Sequence, residues 1–421
     1  MAFGKILTSH VRLENITVPG WLLNSPDDLV RTSLSYQDGR IVSSGGESIE
    51  MNGAMLLPAF IDMHTHLDKG HIWDRAPNPD GSFARALETV TMDRQANWSA
   101  LDVRTRMSFA LRCAYYYGTS AIRTHLDSIP PQDDISWPIF SEMREEWAGR
   151  IELQAVCLAG IDTVDFNGTF QHTASLVARH KGILGLVAYN IPDLRNRLKK
   201  FFEIAQYYDL SVDFHADETI DQSAECLRVI AEVALEMAFP NSITVGHCCS
   251  LALQDSARVS ETLDIVAKAN INIVSLPMCN LYLQDRESDR TPRYRGITLV
   301  HEMKMRGINV SFASDNTRDP FFAYGDLDMI EVMREATRLG HLDHSDVDWS
   351  HAFFSNPAQA CGFNTPSLDF GTVADFVICK ARNWNELFSR PQSDRIVIRY
   401  GKQIDEKLPD YFELDNLMSA S

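Results

Sequence analysis

Eight short apolar, β-branched runs, each ending in polar residues and followed by an amphipathic stretch, dominate this chain of 421 residues. They are LLPAFIDMH (56–64), TSAIRTHLD (119–127), ELQAVCLAG (152–160), GILGLVAYN (182–190), LSVDFHADE (210–218), SITVGHC (242–248), INIVSLPM (271–278) and INVSFASD (308–315). From the second run onward their ends fall roughly 30 residues apart, the length of one strand-plus-helix unit. Strands that read as nearly continuous apolar runs are buried on both faces, as in a parallel sheet. Eight such units point to an α/β chain closed into a barrel. Periodicity alone leaves an open doubly wound sheet as the alternative. ALDVRTRMSFALRCAYYYG and LRNRLKKFFEIAQYYD, both between runs, carry apolar residues at helical spacing.

The flanks are different. Residues 1–56 and 367–421 hold short β-type pieces, TSLSYQDGRIVS with an Asp38-Gly39 turn before the runs and GTVADFVIC and RIVIRYGKQI after them. Pairing them gives one small β domain, with 57–366 as the barrel. The Pro- and Gly-rich segment 68–100 follows the first strand and is expected to cover the catalytic rim as a loop.

Metal-type ligands collect at the run ends. His64 and His66 are two residues apart and point to one strand face. With 13 histidines in the chain, chance supplies roughly 0.4 H-x-H pairs, so the pair alone says little. Position says more: His125 and Asp127, His215, His247 and Asp315 also end runs, on the rim where such barrels carry their sites. Packed core histidines have no reason to choose that rim. Three imidazoles and a carboxylate suit Zn²⁺ or Fe²⁺ and do not decide between them. Glu218, in HADE, is placed to carry protons beside a metal; a helix N-terminal role is the bland alternative, equally open to Asp217.

HTHLD, RTHLD, DFHADE, GHC and ASDN, in this order, resemble the amidohydrolase superfamily. Within it the chain is similar to the cytosine deaminases and, more distantly, to the N-isopropylammelide isopropylaminohydrolases. NLYLQDR and PRYRGITLVHEM (280–303) carry the first likeness, and SDNTRDPFFAYGDLDM (314–329) carries both. The resemblance implies a distorted (β/α)8 TIM barrel with a small β-sandwich domain built from both chain ends. It implies His64, His66, His215 and Asp315 as ligands of one divalent metal ion, zinc or iron. It makes Glu218 the proton shuttle, His247 the histidine assisting at the attacked carbon, and Asp315 a catalytic base as well. Dinuclear members carry a carbamylated Lys at the end of strand four, where this chain has Tyr189-Asn190. Substrate contacts are expected from Gln284, Asn316, Phe321 and Gly160. Gly160 stands where cytosine deaminases have a Gln, Asn316 where they have a second Asp, and Phe321 where they have a Trp.

The expected activity is hydrolytic deamination of a small N-heterocycle, cytosine or a related pyrimidine, purine or triazine base. The alternatives are cleavage of another C–N bond, in an N-alkyl amine or cyclic amide, and a catalytically silent metal-binding protein of the same fold. Lys+Arg number 39 and Asp+Glu 57, a net charge of −18 that repels nucleic-acid backbones. Apolar runs are too short to span a bilayer. The first residues lack a signal-peptide pattern, and the eight scattered cysteines form no disulfide framework. These features predict a cytoplasmic protein with a small heterocyclic substrate and no nucleic-acid or membrane partner. Homo-oligomerisation is expected because barrels of this kind often associate.

Overall fold

A computed structural model describes residues 10–164, 168–345 and 348–418. The outer parts of the flanks, 1–9 and 419–421, lie outside the described residues. The strands are β1 (His10–Pro19), β2 (Leu29–Gln37), β3 (Arg40–Val42), β4 (Glu47–Glu50), β5 (Met55–Pro58), β6 (Phe60–Thr65), β7 (Thr119–Asp127), β8 (Glu152–Leu158), β9 (Leu184–Ala188), β10 (Val212–Ala216), β11 (Ile243–His247), β12 (Asn272–Ser275), β13 (Val310–Phe312), β14 (Phe376–Cys379), β15 (Ile396–Arg399) and β16 (Lys402–Gln403).

β6, β7 and β8 pair in parallel as one sheet, and β9 to β13 as a second. Parallel bridges join the two on both sides. Thr65 bridges Asp315, while Val156 bridges Ile183 and Gly160 bridges Val187. The eight strands therefore form a closed ring, which removes the open-sheet alternative. Helices α1 (Phe83–Asn97) and α2 (Ala100–Tyr117) follow β6, and α3 (Asp133–Glu146), α4 (Thr169–Arg179), α5 (Leu194–Tyr207), α6 (Cys226–Glu236) and α7 (Ser256–Lys268) follow β7 to β11 in turn.

Strand alternation divides the burial. Leu153, Ala155, Cys157 and Ala159 on the β8 segment, Leu184, Leu186 and Ala188 on β9, and Val212, Phe214 and Ala216 on β10 belong to one apolar cluster with the helices. The alternate positions face the axis, and several are polar. Arg123 donates to Asp213 Oδ2 at 3.1 Å and to Gln154 Oε1 at 3.1–3.2 Å, forming a buried charged layer under the barrel mouth. All eight cysteines are free and buried. No helix of the described residues is long and apolar enough to cross a membrane.

Strands from both chain ends make a separate eight-stranded sheet in the order β16-β15-β14-β5-β1-β2-β3, with β4 alongside β1. β1 is irregular between Leu13 and Ile16; its first half pairs with β4 and its second half meets β5. β3 also bonds the segment just before β14, Ile41 N donating to Thr372 O at 2.9 Å. The sheet thus curls around its own core of Val11, Ile16, Tyr36, Phe376 and Ile398.

Two local expectations change. The run 56–64 is two strands, because β5 belongs to the terminal sheet and only β6 enters the barrel. Segment 68–100 is irregular only to Ser82, whose side chain accepts from Arg85 N and starts α1.

Candidate metal and active site

β6 delivers His64 and, one step past its end, His66. β10 delivers His215 on the axis-facing register, and Asp315 stands three residues past the end of β13. Their side-chain atoms converge at the barrel mouth. His64 Nε2 lies 3.1 Å from His215 Nε2, and His215 Nε2 lies 3.3 Å from His66 Nε2. Asp315 Oδ1 lies 3.2 Å from His66 Nε2 and 3.6 Å from His64 Nε2. A tetrahedral ion with bonds of about 2.0–2.1 Å holds its ligand atoms about 3.3–3.4 Å apart. These four separations, 3.1–3.6 Å, stand close to that edge length.

The electrostatics fit a bound cation as well. His64, His66 and His215 are buried, and desolvation first, then their neighbours, holds their basicity well below the usual imidazole range. They are neutral, as ligands must be. Both carboxylate oxygens of Asp315 are buried without a hydrogen-bond partner. Burial pushes the Asp315 carboxyl up to about 8, so its anion needs a positive charge here. Gly246, on the axis-facing register of β11, leaves room for the His64 ring: a Cβ there would lie 3.0 Å from His64 Cε1. Among the described residues the three groupings with metal-ligand spacing all overlap at this mouth.

Glu218 and His247 stand beside the cluster. Glu218 Oε1 lies 3.4 Å from His247 Nδ1. Asn280 Nδ2 donates to both, at 3.2 Å to Glu218 Oε1 and 3.0 Å to His247 Nδ1. With Nδ1 accepting, the His247 proton sits on Nε2, which has no partner within the protein. Burial pushes the Glu218 carboxyl well up, and the Asp315 charge adds to it. Burial likewise holds His247 down to about 3. The backbone turns left-handed at His247 (φ 71°), Asp217 (φ 55°) and Asp315 (φ 66°). Positive φ outside glycine is strained and marks sites the surrounding fold over-determines. At His247 the turn has a visible effect. Ile243 and Val245 pack outward, so simple alternation would send His247 outward too. Instead its ring centroid lies 4.9 Å from that of His215.

The expected substrate contacts fare differently. Gln284 is buried and donates through Nε2 to the Glu218 backbone carbonyl at 3.2 Å, bracing that residue. Asn316 donates to Asp319 Oδ2 at 2.7 Å, and its carbonyl oxygen faces Cys279 Sγ at 3.7 Å, so its amide is engaged within the protein. Phe321 packs edge-on to Phe83 at 5.5 Å. Gly160 lies at the β8 exit beside Asp162 and Tyr189. The His125 ring is tilted 4.0 Å from the His64 ring, its Nε2 lies 3.4 Å from Asp213 Oδ1, and it shares metal-ligand spacing with His64, His66 and His215.

Asn280 and Lys69 were not singled out from the sequence. Lys69 Nζ pairs with Asp127 Oδ1 at 2.8 Å and lies 5.6 Å from the Phe321 ring. Burial opposes the Lys69 charge, but Asp127 and Asp68 outweigh it and leave the ammonium more basic than usual. Its position directly after HTHLD was the available signal. Asn280 had none, because nothing in a sequence distinguishes an amide that orients a histidine.

A closed parallel barrel with this ligand cluster at its mouth defines a metal-dependent hydrolase class, and the comparisons agree. Residues 170–404 match the amidohydrolase family, and the chain belongs to it. It is 47% identical to the pterin deaminase of Rhizobium rhizogenes (strain K84 / ATCC BAA-868), over 99% of this chain and 97% of that protein. It is 22% identical to the N-isopropylammelide isopropyl amidohydrolase of Pseudomonas sp. (strain ADP), over 81% of this chain and 83% of that one. The 5-methylcytosine deaminase of Klebsiella pneumoniae, solved with 5-fluorocytosine, has the same fold: TM-score 0.79, 24% identity, 95% of this chain and 98% of that chain.

Proposed function

We propose that this protein is a metal-dependent hydrolytic deaminase whose substrate is a pterin, a fused 2-amino-4-oxo bicycle, rather than cytosine. The carrying observation is the convergence of His64, His66, His215 and Asp315 next to Glu218 and His247. It occurs in a chain 47% identical along nearly its whole length to a pterin deaminase. The donor set favours one divalent ion, zinc or iron. Tyr189-Asn190 at the end of β9 supports a single ion, since no lysine stands there to be carbamylated. The free cysteines agree with a cytoplasmic setting.

A divalent ion in that cluster supplies Lewis acidity, lowering the pKa of water toward neutrality. The protein's own groups do the rest. Asp315, beside the attacking water, takes its proton. Glu218, kept protonated by burial, gives a proton to the ring nitrogen next to the amino-bearing carbon. His247 Nε2–H, its tautomer held by Asn280, faces the oxygen forming at that carbon. The ionised Glu218 then takes the proton of the new hydroxyl at that carbon and passes it to the departing amine, and the proton held by Asp315 restores Glu218. Water adds, the C–N bond breaks, and ammonia leaves with a dioxo product.

The test is incubation of metal-loaded enzyme with pterin, cytosine and an N-alkylaminotriazine, following ammonia and alkylamine separately. Ammonia from pterin at a kcat/KM at least about 100-fold above that for cytosine is expected. Alkylamine release with no ammonia from pterin overturns the reading.

A further inference from the structure

Two neighbouring strands end their axis-facing registers on a matched pair of groups that the mechanism does not use. Outward packing of Leu153, Ala155, Cys157 and Ala159 turns Gly160 toward the axis. Outward packing of Leu184, Leu186 and Ala188 does the same for Tyr189. Gly160 is bridged to Val187, so these two exits lie side by side at the mouth. A Cβ on Gly160 would fall 2.3 Å from Asp162 Oδ1 and 3.1 Å from Tyr189 Oη. The space above Gly160 is therefore held by the tyrosine hydroxyl, which donates to Asp162 Oδ1. Asp162 sits on a short turn, Ile161–Thr163, that is pinned in place. Thr163 Oγ1 donates to Gly160 O at 2.7 Å, and Arg197 Nη1 donates to Asp162 O at 2.7 Å and Val164 O at 2.9 Å. Tyr189 is 41% exposed and Asp162 is exposed, so the pair at these strand exits is accessible to a ligand.

We propose that Tyr189 and Asp162 read a substituent on the second ring of the substrate, and that Gly160 is bare so the pair can reach across it. This rests on the pterin reading and adds the kind of pterin. The tyrosine proton is committed to Asp162, so both groups offer lone pairs. They select an O–H or N–H donor, such as a hydroxyalkyl group. The carboxylate disfavours an acidic substituent. Gly160→Ala would push the Asp162 side chain off the tyrosine and disrupt the same pair.

The experiment measures kcat/KM of the metal-loaded enzyme for pterin, 6-hydroxymethylpterin and 6-carboxypterin. Wild type, Asp162→Asn and Tyr189→Phe are compared, with thermal melting to confirm folding. Wild type is expected to prefer the hydroxymethyl over the carboxy compound by at least about 10-fold. Asp162→Asn should cut that ratio about 10-fold, and Tyr189→Phe should lower the hydroxymethyl-to-pterin ratio about as much, both mainly through KM. Ratios that stay put in both variants, with pterins still deaminated, overturn this inference alone. Wild-type enzyme that deaminates only single-ring substrates overturns it together with the pterin reading.

Discussion

Asp217 and Glu218 are adjacent acids with opposite duties. Asp217 accepts from Cys226 N at 2.8 Å and Leu227 N at 2.9 Å, capping α6, while Glu218 turns to His247 and Asn280. The helix-end role that the sequence left open to either acid thus goes to Asp217. Glu218→Gln keeps the shape but has no proton to give. Turnover is expected to fall about 10²–10⁴-fold, with metal content and melting temperature held. Near-normal turnover in that variant removes Glu218 from the mechanism. His71 gives a stability prediction away from the ligands. It is buried against Phe109, and burial first, then Arg318 and Arg106, pushes its pKa down to about 3. The folded protein therefore refuses a proton that the unfolded chain accepts below its ordinary 6.5. Stability is complete above that pH and falls by about 1.4 kcal/mol per pH unit as pH drops from 6.5 toward 3. Urea titrations of His71→Asn, a residue that tolerates the left-handed backbone here (φ 59°), should show a limb shallower by one proton. An unchanged limb would assign the acid sensitivity elsewhere.

Among the strands, β9 is packed closely at Gly185. A Cβ on Gly185 would lie 2.1 Å from Cys157 O and 3.0 Å from Asp213 O, both backbone atoms of the flanking strands. Neither can swing aside without opening the ring. Gly185→Ala is expected to cost about 3 kcal/mol or more, the upper range for overpacking, read as a lower denaturation midpoint or loss of folded protein. Wild-type stability in that variant would mean the ring yields more easily than the packing implies. The strand runs themselves were legible from the sequence because two-sided burial leaves a continuous apolar stretch. Element ends were less so. The 56–64 run hides a change of sheet at Ala59, since both halves are equally buried and composition does not register which partner a strand has. α1 was hidden in 68–100 because Pro and Gly cluster in the first half of that segment.

For the protein as one body, the candidate ligand cluster joins strands at opposite ends of the barrel order: β6 and the β13 exit bring His64, His66 and Asp315, and β10 brings His215 across the mouth. A metal bound there ties the ring together. At a free ion concentration 1,000 times its dissociation constant it adds about 4 kcal/mol to stability. Chelation should therefore lower the melting temperature and abolish activity, and readdition should restore both with one ion per chain by elemental analysis. Melting that ignores a chelator while activity vanishes would separate the metal from the fold. The residues alone were enough for the repeating strand-helix plan and for the histidines and aspartate at strand ends, because periodicity and residue chemistry are local properties. Ring closure, the left-handed turn that brings His247 inward, the amide of Asn280 and the Tyr189–Asp162 pair over Gly160 were settled only in three dimensions. Each depends on which distant segments meet, and no local pattern carries that information.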